Sequence, residues 1–213
     1  MFFKKILFFM GIFFILSSCV SLSERVDVKK DNSEQRIQNI VSNKTSFFFD
    51  FQPANTETSS YVTADGYVAV TVDATANSPR PCTVYSPERG YGFVIDPSAT
   101  NKSLNARDRG TSLSNDAALR DFVSGNYDYT FKVDLENGDY TITAYVGDSA
   151  DSRTTRITIT DSKKEIAVLD LSAASGVIDK KSVDVKVSNK TLEFIVSDKN
   201  NIRVLNSLSI VKK

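Results

Sequence analysis

Residues 127–146 decide the fold, and they read YDYTFKVDLENGDYTITAYV. Apolar residues alternate with polar ones on both sides of Asn137-Gly138. Such alternation places the apolar side chains on one face of a β-strand, and Asn-Gly accepts the positive φ angles of a tight turn. The stretch therefore predicts an antiparallel pair of strands, whose apolar faces carry Tyr127, Tyr129, Phe131 and Val133 in the first and Tyr140, Ile142, Ala144 and Val146 in the second.

The same alternation recurs along the chain from Phe47 onward, without any long helical period. Strands that return about every 10 to 12 residues are typical of a β-sandwich. The sequence therefore predicts an all-β body over residues 47–213, which is long enough to bury one core. The further strand-like runs are Val68/Val70/Val72, Ile157/Ile159, Val183/Val185/Val187, Leu192/Phe194/Val196 and Leu208/Ile210.

The first 46 residues have a different character. Lys4 and Lys5 precede an apolar run over 6–16, which is followed by small residues and Cys19. This is the layout of a secretory signal, and the run is shorter than the roughly 20 residues that span a bilayer. We expect a signal peptide over 1–18 and a polar tether over 19–46, with an uncleaved membrane anchor as the alternative.

The end of this signal, Leu16-Ser17-Ser18-Cys19, resembles the lipobox of bacterial lipoproteins. The resemblance implies that Cys19 is acylated and becomes the mature N-terminus, which would anchor the chain to a membrane of the cell envelope. Val20-Ser21 lacks the aspartate that retains some lipoproteins in the inner membrane, which favours the outer membrane or the cell surface. With Cys19 acylated, Cys82 is the only other thiol, so no intrachain disulfide is expected.

Charge and composition exclude several classes of function. Removing Lys4 and Lys5 from the 26 basic residues leaves 24 against 26 acidic ones, a formal charge of −2. Bulk charge therefore does not favour nucleic acid as a partner. The chain has no histidine, and without a Cys/His cluster we expect no zinc. Calcium stays open, with Asp50 and Asn206 as candidate ligands near the first and last strands; the alternative for Asp50 is a turn cap or an arginine partner.

One long segment, residues 96–119, breaks the alternation. Loops of this length are usually functional or disordered, and this one follows the aromatic-rich stretch YSPERGYGF at 85–93. Aromatic rings can cover the apolar face of a sugar, arginines and carboxylates can bond its hydroxyls, and glycines let the backbone come close. The candidate carbohydrate-binding residues are Tyr85, Arg89, Tyr91, Phe93, Arg107, Asp108 and Asp148.

Each of these candidates has a simpler alternative. The aromatic residues could be ordinary core residues, and the arginines around residue 108 could belong to a solvated loop. In the sharper interpretation, Arg107 and Arg109 would bond a uronic acid carboxylate through paired N–H groups.

Six pieces of sequence, in order, resemble the galactose-binding-like domain found beside beta-agarases and YxiM-type rhamnogalacturonan acetylesterases. This resemblance implies a jelly-roll β-sandwich that serves as a glycan-binding or structural module. The tryptophan that often precedes the last piece is absent, so Tyr85, Tyr91 and Phe93 would have to stack on the sugar instead. The pieces are Phe49-Asp50-Phe51, VYSPERGYGF (84–93), RDFV (120–123), FKVDLENGDY (131–140), Gly147-Asp148 and LNSLSI (205–210).

Catalysis is not expected. Gly147-Asp148-Ser149 resembles the nucleophile motif of those esterases, but a serine nucleophile needs a base and the chain has no histidine. Catalysis by paired carboxylates, as in glycosidases, stays open in principle, with Asp96, Asp108, Asp121 and Asp148 as candidates.

We therefore expect a membrane-tethered, non-catalytic carbohydrate-binding lipoprotein that recognises galactose-type or acidic polysaccharide. The alternative is a structural or adhesion lipoprotein that uses the sandwich as a protein–protein interaction module. An exposed apolar patch would favour this alternative, whereas a groove that holds tyrosines and an arginine would favour the carbohydrate.

Overall fold

The computed structural model describes residues 46–95, 103–198 and 202–213. The predicted signal peptide, Cys19, the tether as far as residue 45, and Asp96 lie outside these residues; the last residue of the predicted tether, Ser46, begins the first strand. The described residues form thirteen strands, one short 3₁₀ turn at Gly110–Ser112 and no α-helix. The strands are β1 (Ser46–Pro53), β2 (Val68–Val72), β3 (Tyr91–Val94), β4 (Asn105–Asp108), β5 (Asp121–Gly125), β6 (Tyr129–Asp134), β7 (Gly138–Gly147), β8 (Arg153–Asp161), β9 (Lys164–Ala173), β10 (Ile178–Val187), β11 (Thr191–Ser197), β12 (Arg203–Leu205) and β13 (Ser207–Lys212).

The strands are arranged in three sheets. The first sheet has the order β10-β7-β13-β1-β2, the second β3-β6-β11-β8-β9, and the third, smaller one β12-β5-β4. All neighbours are antiparallel except β1 and β2, which are parallel. The predicted all-β sandwich is confirmed, because the first and second sheets pack face to face through their apolar sides.

Aromatic rings fill the centre of this sandwich. Phe49 and Phe51 on β1 contact Phe131 on β6 edge to face, with ring centroids 5.0 Å and 5.1 Å apart. Phe93 on β3 adds a third contact to Phe131 at 5.7 Å. Such pairs contribute about 0.5–1.5 kcal/mol each beyond the area they bury. They fix the distance and register between the two sheets.

The strands predicted around Asn137-Gly138 exist as β6 and β7, but their predicted pairing is wrong. β6 lies in the second sheet and β7 in the first, so the turn carries the chain across the sandwich. A second crossing, between β10 and β11, lies beside it. The Oδ1 atom of Asn137 accepts a hydrogen bond of 2.8 Å from the Lys190 N–H, and the Leu135 N–H donates to the Lys190 carbonyl. Each strand therefore pairs with partners that are distant in sequence.

Part of the predicted long loop is a strand. Residues 105–108 form β4, which pairs with β5 in the third sheet. The strand has four residues, of which only Ala106 is buried. One buried position cannot produce an alternating pattern in the sequence. Residues 96–102 lie outside the described part of the chain.

Gly92 brings the backbone of residues 84–86 directly over β3. Val84 forms a parallel bridge with Phe93 and Ser86 an antiparallel one with Tyr91. A Cβ atom on Gly92 would lie 2.4 Å from the Tyr85 nitrogen, and the φ angle of Gly92 is +143°. Both the space and the backbone angle therefore require glycine.

We expect Gly92→Ala to lower the free energy of unfolding by about 2–4 kcal/mol, because strain and a backbone collision add. Gly176→Ala is the matched control, since Gly176 also has a positive φ but no atom within 4 Å of the added Cβ; it should lose only about 1 kcal/mol. Urea denaturation measures both. Equal losses would contradict the close packing of residues 84–86 on β3.

Candidate functional site

A tight turn presents the first group of candidate residues. The Gly90 N–H donates to the Ser86 carbonyl at 2.9 Å, and the Gly90 carbonyl accepts from the Asp134 N–H at 2.7 Å. The turn is thereby pinned to β6. We call Tyr85, Arg89, Tyr91, Lys132 and Asp134 the tyrosine group; its members come from this turn, from β3 and from β6.

Direct contacts hold the side chains of the tyrosine group in place. The Tyr85 hydroxyl donates to Asp134 Oδ2 at 2.8 Å, and Lys132 Nζ lies 4.1 Å from the centre of the Tyr85 ring. The Arg89 guanidinium lies 5.9 Å from the centre of the Tyr91 ring and donates to the Val84 carbonyl. These are cation–π distances.

The two tyrosines of the group are half-buried and uncharged near neutral pH. Burial raises the pKa of Tyr85, and its hydrogen bond to Asp134 raises it further. Burial also raises the pKa of Tyr91, whose ring packs against Phe49 with the centroids 5.3 Å apart. The group therefore offers the neutral Tyr85 ring with a neighbouring cation and carboxylate, and the Arg89 cation beside Tyr91, whose ring lies on the core side of the sheet.

Phe93 does not belong to the tyrosine group. Its side chain has no exposed surface, and its ring contacts Phe51, Tyr129 and Phe131. A ring inside the sandwich cannot stack on a ligand. Phe93 is therefore a core residue, and its prediction as a carbohydrate contact is corrected.

Asp148 lies at the centre of an ion-pair network after β7. It is fully buried, and it accepts hydrogen bonds from Arg109 Nε at 2.7 Å and from Arg153 Nη2 at 2.6 Å. Arg153 also pairs with the exposed Asp151 at 2.8 Å. Because Asp148 is enclosed by these partners, it stabilises the loops rather than facing a ligand, and its prediction as a carbohydrate contact is corrected.

The remaining predicted residues lie on β4 of the third sheet. Asp108 forms a two-point pair with Arg120, at 3.0 Å and 2.5 Å. Arg107 is exposed, and its Nη1 atom donates to Asn105 Oδ1 at 3.3 Å. The seven candidates thus lie in four separate places: the tyrosine group, the core, β4, and the Asp148 network.

Lys132 and Asp134 are the functional candidates that the sequence reasoning missed. They occupy the polar positions of the alternating pattern of β6, which usually means only that a strand faces solvent on one side. Their place beside Tyr85 follows from the pairing of β3 with β6, in which Gly92 lies opposite Lys132. That pairing is not readable from the pattern.

Ser149 lies at the edge of the Asp148 network. Its hydroxyl lies 3.1 Å from the Ser112 hydroxyl, and its carbonyl accepts from the Ser175 hydroxyl at 2.8 Å. A nucleophilic serine requires a neighbouring base, and the hydrogen-bond partner of this side chain in the described structure is the Ser112 hydroxyl.

Asn206 does not pair with Asp50 in the way expected for a calcium site. The Asn206 Oδ1 atom accepts from the Gly147 N–H at 2.8 Å, and Nδ2 donates to the Leu119 carbonyl at 3.2 Å. Asn206 therefore ties β7 and the segment before β5 to the last strands. Within residues 46–95, 103–198 and 202–213, no three His, Cys, Asp or Glu side chains are grouped to hold a metal ion.

Asp50 instead faces Asp121 on β5, and both side chains are buried. Burial raises the pKa of each, and the charge of Asp50 raises that of Asp121 further. In the described part of the chain, no helix is long and apolar enough to cross a membrane.

The fold and these contacts define a β-sandwich module of the galactose-binding-like class. A family model described as Beta-agarase/YXIM esterase-like, galactose-binding domain-like matches residues 48–211. The chain belongs to this family. No curated protein matches the chain in sequence.

Solved structures share the fold at low sequence identity. YxiM from Bacillus subtilis is 21% identical, with a TM-score of 0.50 over 79% of this chain and 40% of that one. A beta-glucuronidase from Bacteroides uniformis is 12% identical, with a TM-score of 0.51 over 79% of this chain and 18% of that one. The chain therefore spans less than half the length of these proteins.

We expect Asp148→Asn to lower the free energy of unfolding by about 3–5 kcal/mol at neutral pH, because Arg153 stays buried without its main partner. Burial alone would raise the pKa of Asp148, but hydrogen bonds from Arg109, Ala150 and Arg153 hold this pKa below its usual range. The stabilisation is therefore present above about pH 4 and is lost as the pH falls through the folded-state pKa.

Urea denaturation at neutral and at acidic pH tests this expectation, because the gap between wild type and variant should shrink in acid. Asp151→Asn is the control, since it removes an exposed partner of the same arginine and should change stability by about 1 kcal/mol or less. A gap that does not change with pH would contradict the role of the Asp148 carboxylate.

Proposed function

We propose that this chain is a membrane-tethered, non-catalytic carbohydrate-binding lipoprotein that recognises galactose-type or acidic polysaccharide. The observation that carries the proposal is the tyrosine group. It places Tyr85 beside Lys132 and Asp134 on the outer face of the second sheet, and Arg89 beside Tyr91, whose ring packs against Phe49. Rings with neighbouring donors and one acceptor are what recognition of a hydroxyl-rich ligand requires.

The chemistry of the group fits a sugar that carries an acid. The Arg89 side chain is exposed, and its guanidinium has five N–H donors, of which the Val84 carbonyl accepts one. The other donors can bond a carboxylate in parallel. Lys132 adds a second cation on the neighbouring strand, above the Tyr85 ring.

The family and the solved structures support a carbohydrate context. The family is described as galactose-binding domain-like, and one of the similar structures is named a beta-glucuronidase. These likenesses concern the fold, so the choice of ligand rests on the tyrosine group itself.

The proposal of a non-catalytic role rests on the absence of histidine from the sequence and on the partners of the acids. Asp108 pairs with Arg120, and Asp148 pairs with Arg109 and Arg153. Carboxylates that are paired with arginines are poor candidates for proton transfer, and Asp121, which has no such pair, is buried away from a ligand. The tether is proposed from the lipobox-like Leu16-Ser17-Ser18-Cys19, with the cell envelope, at the outer membrane or cell surface, as the location.

An exposed apolar patch favours a structural or adhesion module as the second candidate. Val84, Val94 and Ile95 retain 45%, 47% and 43% of their surface, and all three lie next to the tyrosine group in sequence. Such patches often mark protein-binding surfaces. A protein partner would use this patch, whereas a glycan would use the rings and cations.

A glycan array probed with the purified full chain tests the carbohydrate proposal. We expect binding to at least one galactan, pectin or host glycan, and a loss of about tenfold or more in affinity for Tyr85→Ala and Arg89→Ala. Arg156→Ala is the matched control, because Arg156 is an exposed arginine of the same sheet that pairs with Asp170; its binding should be unchanged.

The glycan assay also separates the two candidates. Absence of signal on every galactan, pectin and host glycan would reject the carbohydrate proposal. In that case, loss of binding to a protein partner in Val94→Asp would support the adhesion module.

We expect the chain to incorporate a labelled fatty acid when it is expressed in bacteria, and Cys19→Ala to abolish the label. Cys82→Ala is the control; Cys82 is half-buried, and its replacement should leave the label in place. An unlabelled wild-type chain would reject the lipid anchor.

A further inference from the structure

Two carboxyl groups are buried against each other where the first sheet meets the third. Asp50 on β1 has no exposed surface and Asp121 on β5 has 1%. Their side chains lie within hydrogen-bonding reach of each other. The Ala64 N–H donates to Asp50 Oδ2 at 2.9 Å. Two carboxylates are both acceptors, so a direct contact between them needs a shared proton or a cation.

Three oxygen atoms of this pair receive no hydrogen bond within the described structure. They are Asp50 Oδ1 and both carboxylate oxygens of Asp121. A buried acceptor without a donor is unfavourable by about 1–3 kcal/mol and more when it is charged, so such atoms are rare in native proteins. Their occurrence together favours the binding of a positively charged species, a proton or a cation, at this place.

Gln52 supplies an independent observation. Its side chain is 2% exposed, and its Oε1 atom is also buried without a donor. Gln52 follows Asp50 by two positions on β1, so both side chains project from the same face of the strand. This is the face opposite to Phe49 and Phe51, which point into the sandwich.

The surrounding charges favour a cation. The charged groups that act on the pair are Asp108, Asp116 and Arg120. Arg120 is already engaged by Asp108 through two hydrogen bonds. The neighbourhood of the orphaned oxygens is therefore negative, and its one guanidinium does not bond to them.

We propose that Asp50, Gln52 and Asp121 bind a Ca²⁺ ion that joins β1 to β5. All four orphaned atoms are hard oxygens of the carboxylate and amide types, which are the ligands that Ca²⁺ takes. Ca²⁺ accepts six to eight oxygens in flexible geometry, so backbone carbonyls or water would complete the shell. Asn206, the ligand expected from the sequence, is not part of this set because its amide is occupied elsewhere.

The site would have a structural role. Asp50 also holds the Ala64 N–H, in the segment between β1 and β2, so an ion at this place would fix the first sheet, the third sheet and this segment together. The site lies apart from the tyrosine group, and it stands whether or not the chain binds a glycan.

Thermal unfolding of the purified full chain tests the proposal. After treatment with a chelator, saturating CaCl₂ should raise Tm by about 5 °C or more relative to chelator alone, and MgCl₂ should raise it less. Asp50→Asn and Asp121→Asn should abolish this response. Asp170→Asn is the matched control, because Asp170 is exposed on β9 and pairs with Arg156; its response should equal that of the wild type.

Binding of Tb³⁺, a luminescent substitute for Ca²⁺, gives a second readout on the unmodified chain. Excitation of tyrosine should sensitise Tb³⁺ emission, since Tyr67 is near enough to Asp50 for their charges to interact, and Ca²⁺ should displace the signal. A wild type that binds neither ion would overturn the proposal and leave a shared proton between the carboxyls. An undiminished Ca²⁺ response in both asparagine variants would overturn it as well, by placing the ion elsewhere.

Discussion

Phe131 is the residue on which the two main sheets depend. Its ring contacts Phe49 and Phe51 from the first sheet, and Phe93 and Phe194 from its own. These contacts hold β3 at the edge of the second sheet, and β3 in turn carries the turn that presents Tyr85 and Arg89. The position of the candidate site therefore depends on core packing, because packing of the inner faces of β3 and β6 holds these strands in place.

The alternating pattern predicted the strands but not their partners. Tyr140 to Val146 is a strand and so is Tyr129 to Val133, yet the turn between them crosses from one sheet to the other. Asn137-Gly138 indicates a reversal of the chain, but Asn137 does not have the positive φ that a two-residue Asn-Gly hairpin needs, and Gly138 has a φ of +157°. The contact at this crossing is long-range: the Lys190 N–H, far along the chain, bonds to Asn137.

The candidate site was predictable in part, for a similar reason. The stretch 85–93 is rich in aromatic residues and glycine, and in it Arg89 does lie beside Tyr91, while Tyr85 contacts Lys132 and Asp134 of β6. Phe93 differs from Tyr91 by one strand period, so pattern alone could not tell which ring is fully enclosed. Gly92 allows a close approach to the backbone, as predicted for a glycine in this stretch. The group that approaches it is the backbone of Tyr85 and not a ligand. The predicted acids Asp108 and Asp148 form ion pairs with arginines.

We propose that the tyrosine group is a preformed ligand site on a rigid sheet. Backbone and side-chain NMR during titration with an oligogalacturonide, an acidic galactose-type sugar, would test this proposal most directly. We expect the shifts to concentrate at Tyr85, Arg89, Tyr91 and Lys132, with little change at the Asp148 network. Shifts confined to other surfaces, or none at saturating sugar, would contradict it.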